Sequence, residues 1–223
     1  MAPFPRWKGR FLFPKTGLKK ICLEVFAMKT QTTARTKRMV TLAMLAAIAI
    51  VLVAVVHFPL LPAAPFLEYD PADIPIFIGM FLFGPWAGLQ LTVVVSLIQG
   101  LTVSAASSWI GIVMHILATG SFCVLAGLIY RRRHTRGGAA LALAVGTLTQ
   151  TLVMVGCNLV FTPLFMGAPV GEVVAMLVPA IIPFNLMKAA LNSLVTFVIY
   201  KPISRVVRIE GEPLTAAPKC QEK

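Results

Sequence analysis

Charged residues are scarce in this sequence. Of its 223 residues, 13% are charged and 58% are hydrophobic, whereas soluble globular domains usually have about a quarter charged residues. Long apolar stretches such as "MLAAIAIVLVAVV" also lack the alternation of apolar and polar residues that marks a membrane β-barrel. Only helices and closed barrels satisfy every backbone hydrogen bond in lipid. The composition therefore excludes a soluble domain and predicts an all-α integral membrane protein.

Motifs for nucleotide binding, catalysis and metal binding are absent as well. The sequence has no G-x-x-x-x-G-K-[ST] phosphate loop, no H-E-x-x-H, and no Ser, His and Asp grouped at a common depth. The spacing of its cysteines suits neither a metal site nor a disulfide framework; they are Cys22, Cys123, Cys157 and Cys220. We therefore expect no enzymatic activity, no bound metal ion and no cofactor.

The basic residues are unevenly distributed. Nineteen of the 20 Lys and Arg residues lie in residues 1–38, in "RRRHTR" at 131–136, or from Lys201 onwards, and the twentieth is Lys188. This positive-inside pattern places both termini and residues 131–136 in the cytoplasm. It also argues against nucleic-acid binding, although the net charge is +12. The loops on the outer side then contain four acidic residues and no Lys or Arg; the acids are Glu68, Asp70, Asp73 and Glu172.

Hydropathy predicts six membrane-spanning helices, since a span needs about 20 apolar residues. Proline is unfavourable in the interior of a helix but is tolerated in the first turn. We therefore expect Pro163 to end the fifth helix and Pro183 to begin the sixth. We interpret residues 172–182 as a short outer helix or loop. The spans are 39–58, 74–83, 87–103, 109–130, 139–162 and 183–201. The predicted domains are a disordered basic cytoplasmic segment (1–38), a membrane domain (39–203) and a cytoplasmic tail (204–223).

One face of the sixth span is polar. Asn185, Lys188 and Asn192 are spaced i, i+3, i+7, so they form a single stripe near the outer end of the helix. A lysine at mid-bilayer costs ~2.5–3.5 kcal/mol on insertion scales. Lys188 could extend its ammonium group to the outer headgroups, or the stripe could form a polar site. The two asparagines favour a site, because lipid gives them no partner.

The fifth span carries a matching stripe of Thr147, Gln150 or Thr151, Met154 and Asn158. Hydrogen bonds between helices explain Thr147 or Gln150. Asn158 lies at the depth of the polar face of the sixth span and indicates a shared site. The two stripes predict a pocket open to the outside, with amide groups, one cation and apolar walls. Such a pocket suits a flat organic solute that forms hydrogen bonds better than a metal ion, which would need clustered carboxylates or histidines.

Three stretches carry a resemblance to a known family. They are "FLEYDPADIPIFIGMFLFGPWAG" at 66–88, Asn158 before "FTPLF", and "IPFNLMKAALNSLVTFVIYKPI" at 182–203. With these stretches the chain resembles, from about residue 36 to 205, the substrate-binding S component of energy-coupling factor (ECF) vitamin transporters, of the riboflavin type. The resemblance implies six helices and a pocket near the outer face, capped by the loop between the first two helices, "HFPLLPAAPFLEYDPAD".

The resemblance also implies roles for particular residues. Asn158, Asn185 and Lys188 would bind the polar edge of the flavin ring, and we include Asn192 because it lies on the same stripe. In "AMLAA", Ala43 and Ala47 match the small-residue motif through which the first helix meets a transmembrane coupling subunit.

The implied function is capture of riboflavin at the outer face of the plasma membrane, for uptake driven by the coupling subunit and two cytoplasmic ATPases. Two main alternatives remain open: an S component for another vitamin, and a stand-alone proton-coupled carrier in which Lys188 titrates. An intramembrane enzyme is a third alternative, disfavoured because no nucleophile is paired with a base.

Overall fold

The computed structural model describes residues 15–56, 58–59, 67–103, 108–167 and 169–211. Residues 40–212 form one compact unit, a helical bundle that contains the site discussed below. The described residues 15–39, the first part of a long helix, belong to a second unit. Residues 57 and 60–66 of the predicted capping loop lie outside the described residues, as do the two ends of the chain, 1–14 and 212–223.

The described residues form seven α-helices joined by short connections. They are α1 (Lys15–Val55), α2 (Asp73–Phe83), α3 (Pro85–Leu101), α4 (Ser108–Arg132), α5 (Arg136–Met166), α6 (Val170–Met176) and α7 (Ile182–Gly211). A π-helical turn, Leu177–Ile181, links α6 to α7. Two short strands, β1 (Phe58–Pro59) and β2 (Glu68–Tyr69), pair antiparallel between α1 and α2.

The predicted all-α membrane fold with six main helices is confirmed. In the described part of the chain, four helical stretches are long and apolar enough to cross a membrane, at Arg35–Val55, Trp109–Arg132, Arg136–Phe165 and Val170–Tyr200. The other two predicted spans are the shorter apolar helices α2 and α3. Both α1 and α7 extend past the predicted spans, because hydropathy locates the part of a helix that fits lipid rather than its ends. The cytoplasmic location of the termini stays a prediction.

The prediction that Pro163 ends the fifth helix is wrong. Helix α5 continues to Met166 and ends at Gly167, whose φ of 65° is the left-handed conformation typical of helix C-termini. Pro163 lies in the last turn, where its missing N–H costs a single hydrogen bond. Pro183, by contrast, is the second residue of α7, in the first turn as predicted. Residues 172–182 are helical, with Pro179 inside the π-helical turn.

The short helix α2 lies in the centre of the bundle. It is apolar on all sides, as is typical of a buried helix, and Ile76 and Phe77 are fully buried. The ring of Phe77 stacks on that of Phe122 from α4, with 3.8 Å between centroids. Gly84, with a φ of 93°, makes the tight turn from α2 into α3. Because α2 is surrounded, its first residue, Asp73, is held inside the bundle.

Candidate functional site

A cavity of about 400 Å³ lies between α3, α4, α5 and α7, beside the segment that precedes α2. This volume falls within the ~300–1,000 Å³ typical of small-molecule sites. Apolar side chains form much of the wall, among them Leu67, Ile112, Met154, Phe165 and Phe184. Polar groups converge on the same space; they come from Glu68, Asp70, Ser96, Gln99, His115, Thr119, Gln150, Asn158, Thr162, Asn185 and Lys188.

Three of the four predicted binding residues line this cavity: Asn158, Asn185 and Lys188. Asn192 does not line it, although it shares their helical stripe. Asn192 is fully buried one turn deeper, where its side chain bonds to Tyr69 and Asp73. The stripe therefore passes from the cavity wall into the packed interior. The roles of all four in binding stay predictions.

The two cavity asparagines have amide groups held by their own helices. Asn158 Nδ2 donates to the carbonyl of Met154 at 2.8 Å, and its Oδ1 accepts from Thr162 Oγ1 at 2.8 Å. Asn185 Nδ2 donates to the carbonyl of Ile181, the last residue of the π-helical turn, at 2.8 Å. Both asparagine side chains are therefore held in one orientation by hydrogen bonds within the protein.

Lys188 has an acidic partner. Its Nζ lies 2.8 Å from Asp70 Oδ2, in an ion pair whose side chains are 15% and 6% exposed. Asp70 Oδ1 also accepts from the backbone N–H of Ala72, which fixes the carboxylate in the segment preceding α2. The ammonium is thus neutralised near the outer end of α7 instead of being left alone in an apolar environment.

Asp73 lies behind the cavity and joins three helices to the start of α2. Its carboxylate is fully buried. Oδ1 accepts from Thr119 Oγ1 at 3.0 Å and lies 3.1 Å from His115 Nε2. Oδ2 accepts from Gln150 Nε2 at 3.3 Å and Asn192 Nδ2 at 3.4 Å. Four neighbours are what a buried carboxylate needs, because its lone pairs have no water to bond to.

Tyr69, in strand β2, contacts Asn192, one of the residues that bond to Asp73. Burial raises the pKa of its phenol, so the hydroxyl stays protonated and donates to Asn192 Oδ1 at 2.9 Å. Asn192 Nδ2 in turn reaches the carbonyl oxygen of Asp70 at 3.4 Å. The segment that carries Asp70 is therefore attached to α7 by an ion pair and by an amide bridge.

Comparison with known proteins identifies the family. The family model described as "ECF transporter, substrate-specific component" matches residues 37–200. The chain belongs to this family. A solved structure of the S component of a bacterial ECF transporter is 30% identical, with a TM-score of 0.67, and the match covers 78% of this chain and 99% of the other.

Named relatives of this S component share a common description. The riboflavin transporter RibU of Staphylococcus aureus (strain TCH60) is 29% identical over 77% of this chain and 93% of its own length. The riboflavin transporter FmnP of Bacillus subtilis (strain 168) is 26% identical, over 74% and 91% respectively. The riboflavin transporter RibU of Streptococcus thermophilus is 26% identical, over 70% and 78%. As a member of this family, the protein is a multi-pass protein of the cell membrane, which confirms the predicted localisation.

Sequence patterns did not single out Asp70 or Asp73 as site residues of this S component. A signal was nevertheless present, because an ionisable residue inside a membrane usually pairs with another. Only four acids were placed on the outer side, so the partner of Lys188 had to be sought among them. Gln150 was explained as a bond between helices. That explanation holds for both residues, because Thr147 Oγ1 lies 3.0 Å from Ser193 Oγ of α7 and Gln150 Nε2 donates to Thr119 Oγ1 of α4 at 3.4 Å. Gln150 lines the cavity as well.

The two alanines predicted to meet a coupling subunit lie on the face of α1 that points away from the bundle. Ala43 and Ala47 are exposed, whereas Ala46 between them is buried in the bundle. They share this surface with the exposed apolar side chains of Met44 and Ile48. The S component thus leaves both alanines accessible to another helix, and their docking role stays a prediction.

Proposed function

We propose that this S component binds riboflavin from outside the cell and delivers it to partner subunits for uptake. The observation that carries the proposal is the cavity, which brings the ammonium of Lys188 and the amides of Asn158 and Asn185 to one apolar-walled space. The names of the relatives support riboflavin as the ligand, since they are described as riboflavin transporters.

The chemistry of the cavity suits a flavin. An isoalloxazine ring has two apolar faces and one edge of carbonyl, imide and ring-nitrogen groups. Phe184, Met154 and Phe165 offer apolar contact for the faces. Lys188 donates to a ring carbonyl, and the pre-oriented amides of Asn158 and Asn185 bond to the remaining edge.

Transport requires partners in this proposal. A transmembrane coupling subunit would contact the α1 surface around Ala43 and Ala47, and two cytoplasmic ATPase subunits would hydrolyse ATP. The lack of a phosphate-binding loop in the sequence supports this division. The S component itself then catalyses no reaction and uses no cofactor, and riboflavin is its cargo.

Titration of the purified protein with riboflavin tests the proposal. We expect quenching of flavin fluorescence that saturates at one equivalent without ATP, with thiamine and biotin as control ligands. Tight binding of a control vitamin and no quench by riboflavin would show an S component for a different substrate. Reconstitution of this chain alone in liposomes tests the need for partners, and concentrative uptake driven by a proton gradient would contradict it.

A further inference from the structure

Gln150 occupies an unusual position in the wall of the cavity. The residue is 6% exposed, and it lines the cavity together with Thr119 and Asn158. Its Nε2 donates to Asp73 Oδ2 at 3.3 Å and to Thr119 Oγ1 at 3.4 Å. Both contacts are made by the same end of the amide, so the other end, Oε1, is turned away from Asp73.

The orientation of this amide is imposed by its neighbours. A carboxylate only accepts hydrogen bonds, so the reversed amide would place Oε1 against Asp73 Oδ2, with lone pairs facing each other. Thr119 gives no alternative, because its hydroxyl proton is already donated to Asp73 Oδ1. Asp73 is itself fixed by Asn192 and by His115. The packing around Asp73 therefore allows one orientation of Gln150.

The carbonyl oxygen of Gln150 is left without a partner by this arrangement. Oε1 is buried, and it has no hydrogen bond with any residue that the structure describes. Buried polar atoms are nearly always paired, so an exception in a cavity wall calls for an explanation. The cavity wall thus contains a donor, Lys188, and a residue whose buried carbonyl oxygen has no described partner, Gln150.

We propose that Gln150 Oε1 accepts a hydrogen bond from an N–H or O–H group of the bound ligand, and that Asp73 is the positioning residue that orients it. This inference rests on the proposed function, with riboflavin as the ligand. Riboflavin has donors of both kinds, the imide N–H of its ring and the hydroxyls of its ribityl chain. Gln150 lies eight residues from Asn158 along α5, about 12 Å deeper into the bundle, so it meets the end of the ligand that enters furthest.

The consequence is selectivity for ligands that carry the donor. A site that contains a buried acceptor rejects an analogue without the matching donor, since the acceptor then stays unpaired in the complex. Lys188 would bond to an acceptor of the ligand, and Gln150 would bond to a donor. An apolar cavity of the same volume would not make this distinction.

The test combines variants of the protein with variants of the ligand. Affinities for riboflavin, 3-methylriboflavin (no ring N–H) and lumiflavin (no ribityl chain) are measured for wild type, Gln150→Met and Gln150→Asn. Methionine removes the acceptor at nearly constant volume, and asparagine retracts it by one methylene group. Thr151→Val is the matched control, because Thr151 is buried on the same helix, donates only to the Thr147 carbonyl and does not line the cavity.

Both Gln150 variants should bind riboflavin about 3- to 10-fold more weakly than wild type, whereas Thr151→Val should bind within twofold. One analogue identifies the donor: its loss of affinity relative to riboflavin should be about 3- to 10-fold smaller in Gln150→Met than in wild type. Asp73→Asn removes the constraint on the amide, so the ratio of the Kd for that analogue to the Kd for riboflavin should fall towards its value in Gln150→Met. General misfolding would weaken the binding of all three ligands equally and leave this ratio of Kd values unchanged.

Riboflavin affinity within twofold of wild type in both Gln150 variants would overturn the inference. The inference would also be overturned if each analogue lost as much affinity relative to riboflavin in Gln150→Met as it does in wild type. The proposed function fails in a different way, since wild-type protein would then not bind riboflavin at all.

Discussion

Lys188→Met removes the ammonium that lies 2.8 Å from Asp70 Oδ2 and leaves a carboxylate that is 6% exposed. Removing one member of a buried ion pair costs ~3–5 kcal/mol, because the other charge is left uncompensated. Asp70 keeps its bond from the Ala72 N–H, so the lower end of that range, about 3 kcal/mol, applies. At about 2–4 °C per kcal/mol for a protein of this size, the ligand-free variant should melt about 6–12 °C lower.

The same substitution should weaken riboflavin binding for a separate reason. Hydrogen bonds to charged groups contribute ~1.5–3 kcal/mol, and the ligand carbonyl would be left unpaired. At ~1.4 kcal/mol per factor of ten, the Kd should rise roughly 10- to 150-fold. A lysine that merely extended to the headgroups would predict little change in either quantity.

The double variant Lys188→Met/Asp70→Asn distinguishes the two effects. It contains no unpaired charge, so its melting temperature should recover most of the loss, while its riboflavin affinity should stay low. Fluorescence titration and thermal unfolding at one pH, on wild type, both single variants and the double variant, complete the cycle. A Kd within twofold of wild type for Lys188→Met would refute the reasoning. Recovery of affinity in the double variant would show that Lys188 acts only by neutralising Asp70.

Three further predictions follow from the described residues. Ala47→Leu should abolish uptake and association with the coupling subunit while riboflavin affinity stays within twofold, because Ala47 is exposed on α1; loss of affinity with intact association would contradict the docking role. Flavin mononucleotide should bind at least about tenfold more weakly than riboflavin, because its phosphate would meet the acidic residue Glu68 in the cavity wall, while Lys188 is already paired with Asp70. Equal affinities in the same titration would contradict this. Gly127→Ala should destabilise the protein by ~1–3 kcal/mol, because the added Cβ would lie 2.8 Å from the Pro85 Cα, whereas Gly156→Ala, with nothing within 4 Å, should be neutral in thermal unfolding.

Local patterns were sufficient to predict the helices and part of the site. Apolar length locates segments that partition into lipid, and helical geometry places Asn185 and Lys188 on one face whatever the rest of the chain does. Proline was less reliable, since Pro163 lies inside α5 and Pro179 inside the π-helical turn. The missing N–H of a proline is tolerated near a helix end, as at Pro163 just before the C-terminal Gly167, or within a π-helical turn, as at Pro179.

By itself the sequence determined that this is a membrane protein of six main helices, with amides and a lysine at one depth of the fifth and sixth spans. The tertiary structure decided the partners. Asp70 and Lys188 are 118 residues apart, and Asp73 and Gln150 are 77 apart, so no local periodicity reports either contact. It also decided that Asn192 lies behind the cavity and that Gln150 lies in its wall. Helical spacing fixes which residues share a face, whereas the packing of α2 in the centre of the bundle fixes what that face meets.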